Sequence, residues 1–133
     1  MATLLEAKKA RPHLFTHSFI ELLGLDERKS EFIIERGKAL AAQFAALPHS
    51  LTPHAPYSVS APLRDAIFEK ERLLSIHLLE SQEEQRLFAG QGGPLWFFLK
   101  NIPLSHPLHF QTKNPAHHIL KDLSADQKFC WCT

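Results

Sequence analysis

Two stretches decide how this chain is read: Leu51-Thr-Pro-His54-Ala-Pro-Tyr57-Ser-Val-Ser60 and Leu73-Leu-Ser-Ile-His77-Leu-Leu-Glu80. Each carries a histidine at or near the end of an apolar run of strand length, and each is followed by helix-start signals. Residues 73–79 are almost wholly apolar, as a parallel strand covered on both faces requires. Within that run His77 shares parity with Leu73, Ser75 and Leu79, while Leu74, Ile76 and Leu78 point to the other face. Ser81-Gln-Glu-Glu84 has the capping-box spacing, so a helix is expected to start directly after Glu80. Ser60 likewise caps a helix whose Leu63, Ala66 and Ile67 face inward.

Outward from these stretches, Asp26 caps a helix expected to run to Leu47. Its apolar positions Ile33, Leu40, Phe44 and Leu47, with small Gly37 and Ala41 between them, form one stripe, and Pro48 ends it. Residues 13–25 are rich in apolar side chains, and periodicity does not decide between a strand and a strand running into a short helix. Gly90-Gln-Gly-Gly-Pro94 breaks the helix that starts at Ser81. A short aromatic helix over 95–102, a loop over 103–107, a last helix over 116–123 and the start of a strand over 128–132 complete the chain. Strand, helix, strand, helix implies βαβ units on a parallel sheet, an α/β fold. A (β/α)8 barrel needs roughly 200 residues or more. At 133 residues the expected architecture is therefore a partial TIM-type barrel of about three consecutive βα units.

Composition narrows the function classes. The chain is 44% hydrophobic and 22% charged with a net charge of +1, which gives no bias toward nucleic acid or a membrane surface. Its apolar runs are too short to span a bilayer. The basic residues of Met1-Ala-Thr-Leu-Leu-Glu-Ala-Lys-Lys9 follow the apolar stretch, the wrong order for a secretory signal, so a cytoplasmic protein is expected. Cys130 and Cys132 supply too few ligands for a closed zinc site and read as incidental thiols. The nine histidines are scattered, which argues against a metal-storage tract. His117 and His118 are adjacent, point about 100° apart on a helix and read as a solvated face. His13 and His17 could share a face but lack a third ligand, and His106 and His109, flanking Pro107, read as surface.

Three residues stand out. His54 lies between Pro53 and Pro56, whose rings stiffen the backbone and display the imidazole from an extended segment; a rigid turn bearing a surface histidine is the bland reading. His77, inside an apolar strand, needs partners for both ring nitrogens and by itself reads as a satisfied core histidine. Glu80 changes that reading. It sits at the carboxyl end of the strand, where barrel enzymes place catalytic groups. A ligand histidine beside a carboxylate is the pairing that activates water on a metal and moves its proton. Glu80 could otherwise serve only as a charge at the N-terminus of the following helix.

Thr-Pro-His-Ala-Pro-Tyr-Ser-Val-Ser followed by Ser-Ile-His-Leu-Leu-Glu-Ser resembles the amidohydrolase superfamily. The similar branch is that of the metal-dependent deaminases and chlorohydrolases, with the S-adenosylhomocysteine, methylthioadenosine, guanine and cytosine deaminases. Phe19-Ile-Glu21-Leu-Leu-Gly-Leu is also similar to the stretch preceding that motif in some members, so the resemblance covers about residues 15–90. It implies that His77 is a ligand of one divalent metal, zinc or iron, that Glu80 is the acid/base carrying a proton to a substrate ring nitrogen, and that His54 contacts the substrate. The implied reaction is attack of metal-activated water on a ring carbon of a small heterocycle, expelling ammonia or another leaving group, at non-peptide C–N bonds.

The departures are specific. The family's His-x-His ligand pair is absent, and its aspartate ligand would lie beyond Thr133. A single imidazole does not hold a catalytic metal, so the chain is expected to be an inactive internal fragment that retains zinc weakly. Where the family has Leu-Val-His on the strand after the His77 strand, this chain ends Cys130-Trp-Cys-Thr133. Read two bases later, the codons for those four residues give Leu-Val followed by His or Tyr. Residues 130–133 are therefore expected to be an out-of-frame reading of that strand. A cut barrel leaves strand edges and helix stripes uncovered, so self-association is expected too. The alternative is a small non-catalytic α/β protein with incidental metal binding or self-association.

Overall fold

The computed structural model describes residues 6, 9–13, 15–43, 47–105, 107–108, 110 and 114–132, with 131 and 132 described for their backbone alone. Residues 13–25, undecided from the sequence, hold strand β1, Ser18–Leu22. A 3-10 turn over Glu27–Lys29 then leads into helix α1, Ser30–Ala42. Strand β2, His49–Pro53, is followed by helix α2, Ala61–Lys70, and strand β3, Leu73–His77, by helix α3, Gln82–Phe88. Helices α4, Pro94–Lys100, and α5, Pro115–Leu120, precede strand β4, Lys128–Cys132. The fold is a mixed α/β one in which parallel strands alternate with helices.

Strand β1 pairs in parallel with β2, from Ser18 opposite His49 to Leu22 opposite Pro53. Strand β3 pairs in parallel with β4, from Leu73 opposite Lys128 to His77 opposite Cys132. The two pairs form separate two-stranded sheets lying side by side. A side chain bridges them. Thr52 Oγ1 accepts from the Ser75 amide at 2.8 Å and donates to the Ser75 carbonyl, replacing the ladder that would otherwise join β2 to β3.

Alternation along the strands separates two faces. Ile20, Leu22, Leu51, Leu74 and Ile76 turn to the helices and form one core with Ile34 of α1, Leu63, Ile67 and Phe68 of α2, and Ile119 of α5. The expected inward positions of α2 hold, with Leu63 and Ile67 buried and Ala66 packed partly against the core. Helix α1 differs from expectation. It ends at Ala42, its buried residues are Ser30, Ile34, Gly37 and Ala41, Ile33 is only partly buried, and Leu40 is 43% exposed. Leu47 is buried but lies beyond the helix, and Phe44 is outside the described residues. The cause is close approach. A Cβ on Gly37 would stand 2.8 Å from Leu22 Cδ2 and 3.3 Å from Leu51 Cδ2, so the glycine sets which face of α1 meets the sheet.

Two further expectations are corrected. His118 is not on a solvated face: its ring packs 5.6 Å from that of Phe88, and burial holds its pKa below the ordinary imidazole value. Ser60 precedes α2 but makes no side-chain cap; its hydroxyl instead pairs with Ser30 Oγ at 3.1 Å, tying α2 to the start of α1. His106, His109 and Thr133 lie outside the described residues. Among those described, no helix is long and apolar enough to cross a membrane.

Candidate metal centre

The carboxyl ends of β1, β2 and β3 are laced together at one level. The His54 amide donates to the Leu22 carbonyl at 3.1 Å, and the His54 carbonyl accepts from the His77 amide at 2.9 Å. The chemistry lies at that level. Glu21, Ser50, Thr52, Ser75 and His77 alternate with the core residues and so share the face opposite the helices. His54 follows β2 directly on the same parity. Its segment is stiffened by the flanking prolines and held to the residues just after β1 by parallel bridging of Gly24 to Val59.

His77 is the hub. Its Nδ1 lies 2.8 Å from Glu80 Oε1 and its Nε2 lies 3.0 Å from Glu21 Oε1. The side chains are 29% exposed for His77, 35% for Glu80 and 41% for Glu21, so the cluster forms an open shelf at the strand ends. Burial pulls the His77 imidazole down, but hydrogen bonding to Glu21 and the charges of Glu80 and Glu21 outweigh it, and the net displacement is upward from the ordinary histidine value.

Glu80 reaches His77 through a backbone turn that a leucine would not choose. Leu79 has φ +59°, a left-handed conformation that costs an L residue with a branched side chain on the order of 1 kcal/mol. That conformation reverses the chain and brings Glu80 back over the ring. The turn is fixed from behind by the helix that follows. Ser81 caps α3 by accepting from the Glu84 amide at 3.2 Å, while the fully buried Glu84 accepts from the Glu80 amide at 3.1 Å. The expected capping box therefore forms, with its carboxylate reaching one residue further back than usual. Burial pushes the Glu84 carboxyl up, and among the described residues its Oε1 has no hydrogen-bond partner.

His54 is oriented by Ser58. Nδ1 lies 2.9 Å from Ser58 Oγ, which donates its one hydrogen to the Ala55 carbonyl at 3.1 Å. With that hydrogen on Ala55, the hydroxyl accepts from His54 Nδ1–H, the tautomer in which Nε2 keeps its lone pair for a ligand. The His54 and His77 rings are 5.1 Å apart. Tyr57 stands edge-on to His54 at 6.4 Å, its phenol pushed up by burial and by the charges of Glu80 and Glu84.

The three residues singled out from the sequence thus meet at one place, and a fourth, Glu21, joins them. One donor atom from each of Glu21, His54 and His77 lies within 4.8 Å of the others. Two imidazoles and a carboxylate are a donor set suited to zinc or iron, so the residues present fit such an ion. Sequence reading passed over Glu21, although a lone acid between Ile20 and Leu22 was its signal. His17 lies further back on the same face, with Nε2 2.8 Å from Ser50 Oγ, and pairs with β2 rather than with His13. The chain matches no family model, no curated protein and no solved structure.

Proposed function

We propose that the chain is a section of an amidohydrolase-type (β/α)8 barrel that, when complete, removes an amino or similar group from a small purine- or pyrimidine-like ring. The observation that carries this reading is the convergence of His54, His77 and Glu80 at the carboxyl ends of neighbouring parallel strands, where barrel enzymes build their sites. The strand succession supports it. Each of β1, β2, β3 and β4 lies beside the next in chain order, as staves do. Beyond β1, a groove lined by Ile20, Leu23, Ile33 and Leu40 stands open where a preceding unit would pack.

A zinc or iron ion at His77 would supply Lewis acidity and an activated water there. Glu80, held against His77 Nδ1, is placed to take a proton and return it to a ring nitrogen of the substrate. His54, its Nδ1 anchored on Ser58, presents Nε2 to the same shelf for a contact with substrate. Without the strands that bear the other family ligands, the isolated chain is expected to be inactive. Genomic sequence on both sides, translated in all frames, tests this reading. It should encode a His-x-His strand upstream, and downstream a strand reading Leu-Val-His in place of Cys130-Trp-Cys followed by one bearing an aspartate. An intact frame through Cys130 with no barrel-like coding on either side would overturn it. The single core that β1, β2 and β3 share with helices α1, α2 and α5 favours a second reading, a self-contained α/β protein without catalysis.

A further inference from the structure

We infer that this chain by itself binds one zinc-type divalent ion through Glu21 Oε1, His54 Nε2 and His77 Nε2, leaving a fourth position open to water or a small anion. The inference concerns the chain by itself and does not depend on the barrel reading, in which the missing ligands would hold the ion and free His54 Nε2 for substrate: all three donors belong to residues 21–77, and a self-contained α/β protein would hold the same ion.

Geometry comes first. Around a tetrahedral ion with bonds of about 2.0–2.1 Å, neighbouring donors stand about 3.3 Å apart. Glu21 Oε1 and His77 Nε2 are 3.0 Å apart, and one donor atom from each of Glu21, His54 and His77 lies within 4.8 Å of the others. A small inward movement of His54 therefore closes the set. The strands beneath it are already joined through both backbone polar groups of His54, so little chain ordering remains to be done on binding.

The outer partners are those that ligand imidazoles use. A metal-bound histidine commonly gives its remaining ring N–H to a carboxylate or another acceptor, which sets the tautomer and the ring plane. His77 Nδ1 faces Glu80 Oε1 at 2.8 Å, and His54 Nδ1 faces Ser58 Oγ at 2.9 Å. Both rings therefore have Nε2 left for a metal, with His77 Nε2 already facing Glu21 Oε1 and the His54 ring 5.1 Å from that of His77. Two nitrogens and one carboxylate favour zinc over magnesium or calcium, which prefer all-oxygen shells. The competing account is a plain ion-pair triad, with His77 protonated between two carboxylates. It uses Glu21 and Glu80 alike and gives His54 no part.

Titration of metal-free full-length chain with zinc, read by calorimetry, and with cobalt(II), read by its visible absorption, separates these accounts. The expected result is one equivalent bound, with a four-coordinate cobalt spectrum. Glu21→Gln, His54→Gln and His77→Gln should each weaken binding by more than the 10- to 100-fold expected for Glu80→Gln or Ser58→Ala, whose residues act on the rings from outside. Unchanged far-ultraviolet circular dichroism shows that the variants fold. The near-isosteric Glu21→Gln keeps the test valid should a histidine variant fail. Zinc below one equivalent and insensitive to Glu21→Gln, binding lost in Cys130→Ser instead, or His54→Gln without effect would each overturn the assignment.

Discussion

At the scale of single residues, the site combines a hub that is over-partnered with a support that is under-partnered. Glu84 is buried, raised in pKa by that burial and, among the described residues, short of one hydrogen bond, yet it anchors the amide of Glu80. A carboxyl with a raised folded value keeps its proton where the unfolded chain has lost it. Stability should then fall as pH rises from the ordinary glutamate value through the folded one. Glu84→Gln, which retains an acceptor oxygen without the charge, should raise the denaturant midpoint at neutral pH and flatten its slope over that window. An unchanged midpoint would mean that Glu84 is solvated. Thr52→Val tests the bridge between the sheets. It keeps the shape but strands the buried Ser75 amide, and should destabilise by about 1–3 kcal/mol in urea unfolding. His77 and Glu80 were legible in the sequence because they lie three positions apart at the end of an apolar strand whose alternation fixes the parity of His77. Glu21 was not, because it reaches His77 across 56 residues of chain, a pairing that only strand order can create.

Among the elements, strand β3, the Ser81 start of α3 and the inward face of α2 followed directly from alternation, capping spacing and apolar periodicity. Helix α1 did not, since its contact face is set by a glycine, which carries no hydrophobic signal of its own. Its entry is set by Asp26, which accepts from the Arg28 amide at 3.2 Å, from Arg28 Nη2 at 2.9 Å and from Ser105 Oγ at 3.2 Å. Hydrogen bonding to Arg28, working against burial, holds this carboxyl well below the usual aspartate range. The stability it contributes should be fully present above the ordinary aspartate value and be lost as pH falls through the folded one. Asp26→Asn should therefore lower the thermal midpoint at neutral pH, and the gap from the parent chain should narrow on acidification. A gap that is constant with pH would remove the charge from the account.

Across the whole molecule, four parallel strands in chain order, joined by helices on one side, leave the outer edge of β1 and the apolar side chains Leu23, Leu40, Phe97 and Phe98 exposed. Sedimentation velocity over a range of concentrations should show reversible association that weakens when Leu23 and Leu40 are replaced by Lys, whereas a strict monomer at every concentration would mean that these surfaces need no cover. The α/β class was legible because strand and helix periods alternate along the chain. The division into two sheets was not, because a threonine hydroxyl rather than a ladder joins them. The meeting of Glu21, His54, His77 and Glu80 depends on that same juxtaposition of strands, and nitrogen-resolved NMR titration of the histidine rings in the metal-free chain measures it most directly. His77 should titrate above the ordinary histidine value and drop toward it in both Glu21→Gln and Glu80→Gln. A His77 that titrates at the ordinary histidine value, unmoved by either substitution, would contradict the convergence on which the functional reading rests.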